Sequence, residues 1–164
     1  AAVSEVPAAS SPEQRRAANP QGWNEMSEVL SQDRIARYKT GVVNYRKVVA
    51  SEGEPCVLPG REPYEEYMAM RQPNWRNQVT LESLEKMREF DPANAIHMIS
   101  PTALLLIVAE KDCFFPPDLV KAIYERAMEP KAMSVLPVKH FEMYIEPWLS
   151  KSANMAIDWF KKYL

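Results

Sequence analysis

An aspartate and a histidine each follow an apolar segment in the last third of the sequence. Asp112 comes soon after the apolar residues 102–109, and His140 comes soon after residues 132–137. In a nucleophilic triad, a carboxylate fixes the tautomer of an imidazole, and the imidazole takes the proton of the nucleophile. Asp112 and His140 are therefore candidates for a triad acid and base. The alternatives are an aspartate that only caps its loop and a histidine that is only exposed.

The segments around these two residues predict the elements that must position them. Residues 102–109 are apolar on both alternating sets, as expected of a parallel-sheet strand covered on both faces. A helix that starts near Pro116 connects them to a second strand, residues 132–137. Because catalytic groups in open α/β sheets lie beyond the carboxyl ends of the strands, we expect a hydrogen bond between Asp112 and His140 at this edge.

Two further elements complete the predicted sheet region. Residues 1–7 are typical of a short buried strand that Pro7 ends. A last helix starts near Ser150 and carries an apolar stripe at helical spacing, which consists of Ala153, Ala156, Ile157, Phe160 and Leu164. Since the chain starts at Ala1 inside a strand pattern, we expect upstream sequence to belong to the same fold.

The region between the strand at residues 1–7 and the strand at residues 102–109 is predicted to be mostly helical. Proline and capping signals indicate helices that begin near Pro12, Asn24, Pro63 and Thr80. The second of these is expected to stop at Gly41. The segment that follows, residues 42–49, fits a strand or a helix equally well.

Composition excludes several classes of function. The chain has 46% hydrophobic and 26% charged residues, which is typical of a soluble globular protein. With 20 basic and 22 acidic residues, it has no basic excess that would predict binding to nucleic acid or to an anionic membrane. Cys56 and Cys113 have no metal-binding spacing, so we expect reduced thiols, no metal and no cofactor. The absence of a signal-peptide pattern predicts a cytoplasmic location.

Several segments together resemble a known family. SPTALLLIVAEKD, YERAMEPKAMSVLP, KHFEMY and AIDWFKKYL are similar to the last third of α/β-hydrolase-fold proteins of the dienelactone hydrolase and serine aminopeptidase type. The hydrolases of fungal and bacterial natural-product gene clusters are the most similar. WRNQVTLESLEKMREFDP and AAVSEVP also resemble this group, so the resemblance covers nearly the whole chain. It implies that Asp112 is the triad acid and His140 the triad base.

The resemblance also implies how the chain is organised. Residues 1–164 would be part of one α/β-hydrolase domain, with residues 1–9 and 96–164 in the sheet core and residues 10–95 in a helical cap. Aromatic residues of this cap are candidates for contact with substrate, although packing inside the cap is the alternative; they are Tyr38, Tyr64, Tyr67 and Trp75.

The nucleophile of that family lies on a Gly-x-Ser-x-Gly elbow. This motif cannot be formed from the spacing of the glycines in this chain, which are Gly22, Gly41, Gly53 and Gly60. The residues that could replace the nucleophile fit poorly, because they lie before a strand, inside a strand or beside the acid; they are Ser100, Ser134 and Cys113. The resemblance therefore implies that the nucleophile and the oxyanion hole belong to a missing N-terminal part, in the same gene or in a second chain.

Two functions remain open. The first is the C-terminal part of a serine hydrolase or acyltransferase of secondary metabolism, which acts on a small ester, thioester or related acyl substrate once it is completed by its N-terminal half. The second is a non-catalytic scaffold or binding chain with the same fold. Because the strand at residues 1–7 would leave an unpaired apolar edge, we also expect that copies of the chain can associate with one another.

Overall fold

A computed structural model describes residues 1–8, 10–51 and 53–164. These residues form two compact units. The sheet unit consists of Ala1–Gln14 and Asp91–Leu164, and the helical unit consists of Arg15–Phe90. Residue 9 of the predicted sheet core and residue 52 of the predicted cap lie outside the described residues.

The order of elements alternates strands and helices in the last part of the chain. In chain order the elements are β1 (Ala2–Glu5), α1 (Pro12–Ala18), α2 (Pro20–Thr40), β2 (Tyr45–Arg46), α3 (Arg61–Met70), β3 (Val79–Thr80), α4 (Leu81–Glu89), α5 (Pro92–Ala95), β4 (Leu104–Lys111), α6 (Pro117–Arg126), β5 (Lys131–Lys139) and α7 (Trp148–Tyr163). Two short 3-10 helices lie at Ile96–Ile99 and Phe141–Tyr144. The elements after α5 follow the predicted βαβ pattern.

The sheet unit is built around a parallel sheet. Within the described residues its strand order is β1-β4-β5, and both pairings are parallel. The central strand β4 is buried from Leu104 to Ala109. Its two faces belong to different clusters: Leu105 and Ile107 contribute to one, Leu106 and Val108 to the other. This two-sided burial explains why the segment is apolar at every position.

A helix covers each face of the sheet. Trp159 of α7 belongs to the same buried cluster as Ile107, and its indole Nε1 donates a hydrogen bond to the Ala103 carbonyl at 3.2 Å. Val120 of α6 packs in the cluster on the other face, together with Val108. The sheet is therefore held between α6 and α7, which fixes the loops that leave β4 and β5.

The buried side of α7 differs from the stripe that the sequence predicts. Ser152 and Trp159 are buried, and the partly buried residues of α7 that pack on the core are Trp148, Met155 and Tyr163. Ile157 and Leu164, from the predicted stripe, are exposed. The helix carries two apolar stripes, and the large indole of Trp159 determines which one faces the sheet.

Strands β4 and β5 extend further than predicted. Lys111 pairs with Lys139 beyond a local irregularity of the ladder, so Asp112 and His140 follow their strands directly rather than after three residues. The prediction placed the end of β5 at Pro137, whereas the strand continues to Lys139. Among the described residues β5 pairs with β4 alone, and a strand at the edge of a sheet can accommodate proline.

The helical unit has its own buried cluster, which includes Leu30 of α2 with Leu81 and Leu84 of α4. Its capping residues match the sequence prediction. Gly41 ends α2 in the left-handed conformation with a φ of 71°, and the Thr80 hydroxyl accepts a hydrogen bond from the Ser83 amide at 3.0 Å. Residues 42–49, which the sequence leaves undecided, contain the short strand β2 paired with β3.

None of the helices in the described ranges combines the length and the apolar character that a bilayer crossing requires.

Two valines of neighbouring strands test the core. Val108 in β4 is 1% exposed, whereas Val135 in β5 is 47% exposed. We predict that Val108→Ala lowers the free energy of unfolding by about 2–3 kcal/mol, because it removes buried methyl groups and leaves a cavity. Val135→Ala, the same chemical change in the same sheet, should cost less than about 1 kcal/mol. Urea denaturation measures both values, and equal losses would contradict the described packing.

Candidate active site

The candidate site lies where two neighbouring parallel strands end. Asp112 follows β4 and His140 follows β5, and the pairing of these strands brings the two side chains together. His140 Nδ1 lies 2.9 Å from Asp112 Oδ2. The hydrogen bond predicted from the sequence is therefore present.

Both carboxylate oxygens of Asp112 are hydrogen-bonded. Oδ1 accepts hydrogen bonds from the backbone amides of Phe114 at 2.8 Å and of Phe115 at 3.0 Å, whereas Oδ2 faces His140. The side chain is 1% exposed. Asp112 thus caps its own loop and hydrogen-bonds to the histidine at the same time, so loop capping does not exclude the predicted pairing.

The hydrogen bonds around Asp112 determine its charge. Burial raises the pKa of this carboxyl group, but the hydrogen bond from His140 and those from the Phe115 and Phe114 amides outweigh burial and hold the pKa below its ordinary value. Asp112 is therefore ionised at neutral pH and can only accept. It follows that His140 donates from Nδ1, which leaves Nε2 as the ring nitrogen that can take a proton.

The loop of His140 is also held in place. The Lys139 amide donates a hydrogen bond to Glu142 Oε2 at 2.7 Å, and Phe141 and Met143 of the following 3-10 helix are buried. The imidazole itself is 12% exposed. The His140 side chain is therefore largely buried rather than exposed at the surface.

Aromatic rings surround the imidazole. In the part of the chain that the structure describes, four rings have centroids between 4.9 and 6.4 Å from that of His140; they are Phe114, Phe115, Phe141 and Tyr144. Sequence reasoning did not select these residues. The available signal was their position, since each lies within four residues of Asp112 or His140.

The residues considered as substitute nucleophiles lie elsewhere. The Ser100 hydroxyl donates a hydrogen bond to the Glu129 carbonyl, before β4 begins. Ser134 pairs with Ile107 in the middle of the sheet. Cys113 is exposed next to Asp112. Neither serine is at the carboxyl edge that carries Asp112 and His140.

The aromatic residues predicted to contact substrate all belong to the helical unit. The rings of Tyr67 and Trp75 lie 6.0 Å apart, and Trp75 borders a cleft of about 450 Å³ together with Met68 and Arg71. Tyr64 is half-buried on α3, and Tyr38 is exposed near the end of α2. Their contact with substrate stays a prediction.

Within residues 1–8, 10–51 and 53–164, no three His, Cys, Asp or Glu side chains are grouped in a way that could hold a metal ion.

The pKa of Asp112 generates a pH prediction. A carboxyl group whose pKa is lower in the folded state stabilises the protein fully above its unfolded-state pKa of about 4, and this contribution is lost as the pH falls through the folded-state value. The stability difference between the wild type and Asp112→Asn should therefore be largest near neutral pH and shrink from about pH 5 towards pH 2.

Urea denaturation over this pH range measures the effect. Asp158→Asn, the same change at an exposed position of α7, serves as the control. A difference between the wild type and Asp112→Asn that stays constant over the whole range would contradict the assignment.

Comparison with known proteins identifies the fold. No family model matches the chain. A thiohydrolase from Eupenicillium brefeldianum is 32% identical over 63 residues, which are 38% of this chain and 20% of that protein. The α/β hydrolase GrgF from Penicillium sp. sh18 superposes with a TM-score of 0.76 at 19% identity, over 98% of this chain and 54% of that one.

A second solved structure, DcsB in complex with its substrate analogue, has a TM-score of 0.74 at 20% identity, over 99% of this chain and 56% of that one. The chain thus spans about half the length of the solved structures that it matches. Together with the parallel sheet between helices, these similarities confirm the predicted class: the chain has an α/β-hydrolase fold.

Proposed function

We propose that this chain supplies the acid and the base of a serine hydrolase. The observation that carries the proposal is the hydrogen bond between Asp112 and His140 at the carboxyl edge of a parallel sheet, in an α/β-hydrolase fold. The serine and the oxyanion hole would come from the rest of that fold, either from the same gene or from a second chain.

The proposed mechanism follows from the hydrogen bonds of the pair. Asp112, ionised and fixed by two backbone amides, holds the Nδ1–H tautomer of His140. Nε2 then takes the hydroxyl proton of the serine as its oxygen attacks the acyl carbon, and returns that proton to the leaving group. A water molecule next loses a proton to Nε2 and attacks the acyl-enzyme. His140 finally protonates the serine oxygen as the acid product leaves.

The proposed substrate is a small acyl thioester or ester. The relative named a thiohydrolase supports the thioester, and it favours water over another acyl acceptor. The resemblance to hydrolases of natural-product gene clusters supports a role in secondary metabolism.

We also propose that residues 10–95, which include the helical unit Arg15–Phe90, form the cap of this hydrolase, and that residues 1–9 and 96–164 form its sheet core. The compactness of the helical unit and its own buried cluster around Leu30 support a cap that folds as a unit of its own. The half-buried Tyr67 and Trp75, whose rings lie 6.0 Å apart, are its best candidates for contact with substrate, and Trp75 also borders the cleft of about 450 Å³.

Activity of the completed enzyme tests the proposal. In a protein assembled with a segment that carries the Gly-x-Ser-x-Gly elbow, we expect His140→Ala to lower kcat/KM by about 10⁴ or more, because no other group takes the serine proton. Asp112→Asn should lower it by about 10²–10⁴, because the amide no longer selects the Nδ1–H tautomer. Hydrolysis of a short acyl thioester and of its oxygen ester measures both.

The second histidine of the chain provides a matched control. His97 is exposed on the 3-10 helix that precedes β4, and His97→Ala should leave kcat/KM within about twofold of the wild type. If the assembled protein is inert towards both substrates, or if His140→Ala retains activity, the hydrolase proposal fails. The binding-chain alternative would then explain the fold.

A further inference from the structure

We propose that Phe114 is a positioning residue, which links the loop of Asp112 to the ring of His140. Its contact geometry is independent of any reaction. Its effect on catalysis rests on the hydrolase function proposed above.

Phe114 contacts both members of the pair. Its backbone amide donates a hydrogen bond to Asp112 Oδ1 at 2.8 Å. Its ring lies against His140 with centroids 4.9 Å apart and planes at 88°, which is an edge-to-face contact. One residue thus orients the carboxylate through its main chain and the imidazole through its side chain.

A second ring completes the support. Phe141, which is 4% exposed, lies 5.0 Å from His140 and 5.8 Å from Phe114, in both cases in a T-shaped arrangement. The rings of Phe114, His140 and Phe141 therefore contact one another pairwise. Because Phe141 is anchored in the core, it holds Phe114 as well as the imidazole.

The imidazole needs this support because a single hydrogen bond does not fix a ring plane. The bond from Nδ1 to Asp112 Oδ2 sets one direction, but the ring can still rotate about that line. Such a rotation would move Nε2 away from the proton that it must take. Packing of Phe114 against the ring restricts the rotation, and small losses of alignment reduce rates strongly.

The neighbouring Phe115 offers a matched control. Its amide also donates to Asp112 Oδ1, at 3.0 Å, and its ring is half-buried like that of Phe114. The centroid of its ring, however, is 6.4 Å from that of His140, with a tilt of 49°. Phe115→Ala therefore removes an aromatic ring of the same loop while leaving the closest edge-to-face contact in place.

The experiment is nitrogen NMR of the full chain with ¹⁵N-labelled histidine, in the wild type and in Phe114→Ala, Phe114→Tyr and Phe115→Ala. The chain has two histidines, so exposed His97 serves as an internal reference. We expect wild-type His140 to show the Nδ1–H tautomer. In Phe114→Ala, both of its nitrogen shifts should move towards those of His97. Phe114→Tyr and Phe115→Ala should keep the wild-type pattern.

Kinetics of the assembled enzyme adds the catalytic readout. Phe114→Ala should lower kcat about tenfold with KM changed less than about twofold, because alignment of His140 acts in the transition state rather than in binding. Phe115→Ala and Phe114→Tyr should each keep kcat within about twofold of the wild-type value. A structural role alone would not separate kcat from KM in this way.

The outcomes distinguish this proposal from the hydrolase proposal. Unchanged His140 shifts in Phe114→Ala, or equal changes in Phe115→Ala, would overturn the positioning role. The expected shifts in a protein that remains inert would support positioning and reject the hydrolase. If Phe114→Ala does not fold, the same His140 shifts and kcat are measured in Phe114→Leu. This change keeps apolar bulk and removes only the edge-to-face ring contact.

Discussion

The parallel pairing of β4 with β5 is the constraint on which the candidate site depends. Its register sets Lys111 against Lys139, so the next residues of the two strands, Asp112 and His140, leave the sheet side by side. Everything else supports that register. The apolar residues of β4 bury both faces of the sheet, and α6 and α7 exclude water from them. The chemistry of the site is thus a consequence of strand alignment.

The sequence predicts the pairing of Asp112 with His140 correctly because the apolar strands that precede them are recognisable from local sequence. A short continuous apolar run is typical of a strand buried on both faces, and the rule that functional groups follow the carboxyl ends of such strands then selects Asp112 and His140. Caps are equally local, as Thr80 and Gly41 illustrate. A cap involves residues within a few positions of each other, so the residue types alone predict where the helix begins or ends.

Tertiary preferences were less accessible to sequence reasoning. The helix α7 has two apolar stripes, and only the fit of Trp159 against Ala103 and Ile107 decides which one is buried. The end of β5 was missed because pairing with β4 continues past Pro137. The rings around His140 were missed because their contacts depend on tertiary structure. Phe114 and Phe141 belong to different loops, and their contact exists only in the folded chain.

Pro137 has one further consequence, which concerns the direction in which the sheet can grow. A strand added along the outer side of β5 would meet a residue that has no amide to donate, and it would also meet Lys131 and Lys139 at the two ends of the strand. The segment Ala2–Glu5 at the opposite side of the sheet contains no proline and no lysine. Among the described residues, the outer side of β5 is therefore less suited to pairing with a further strand than the outer side of β1.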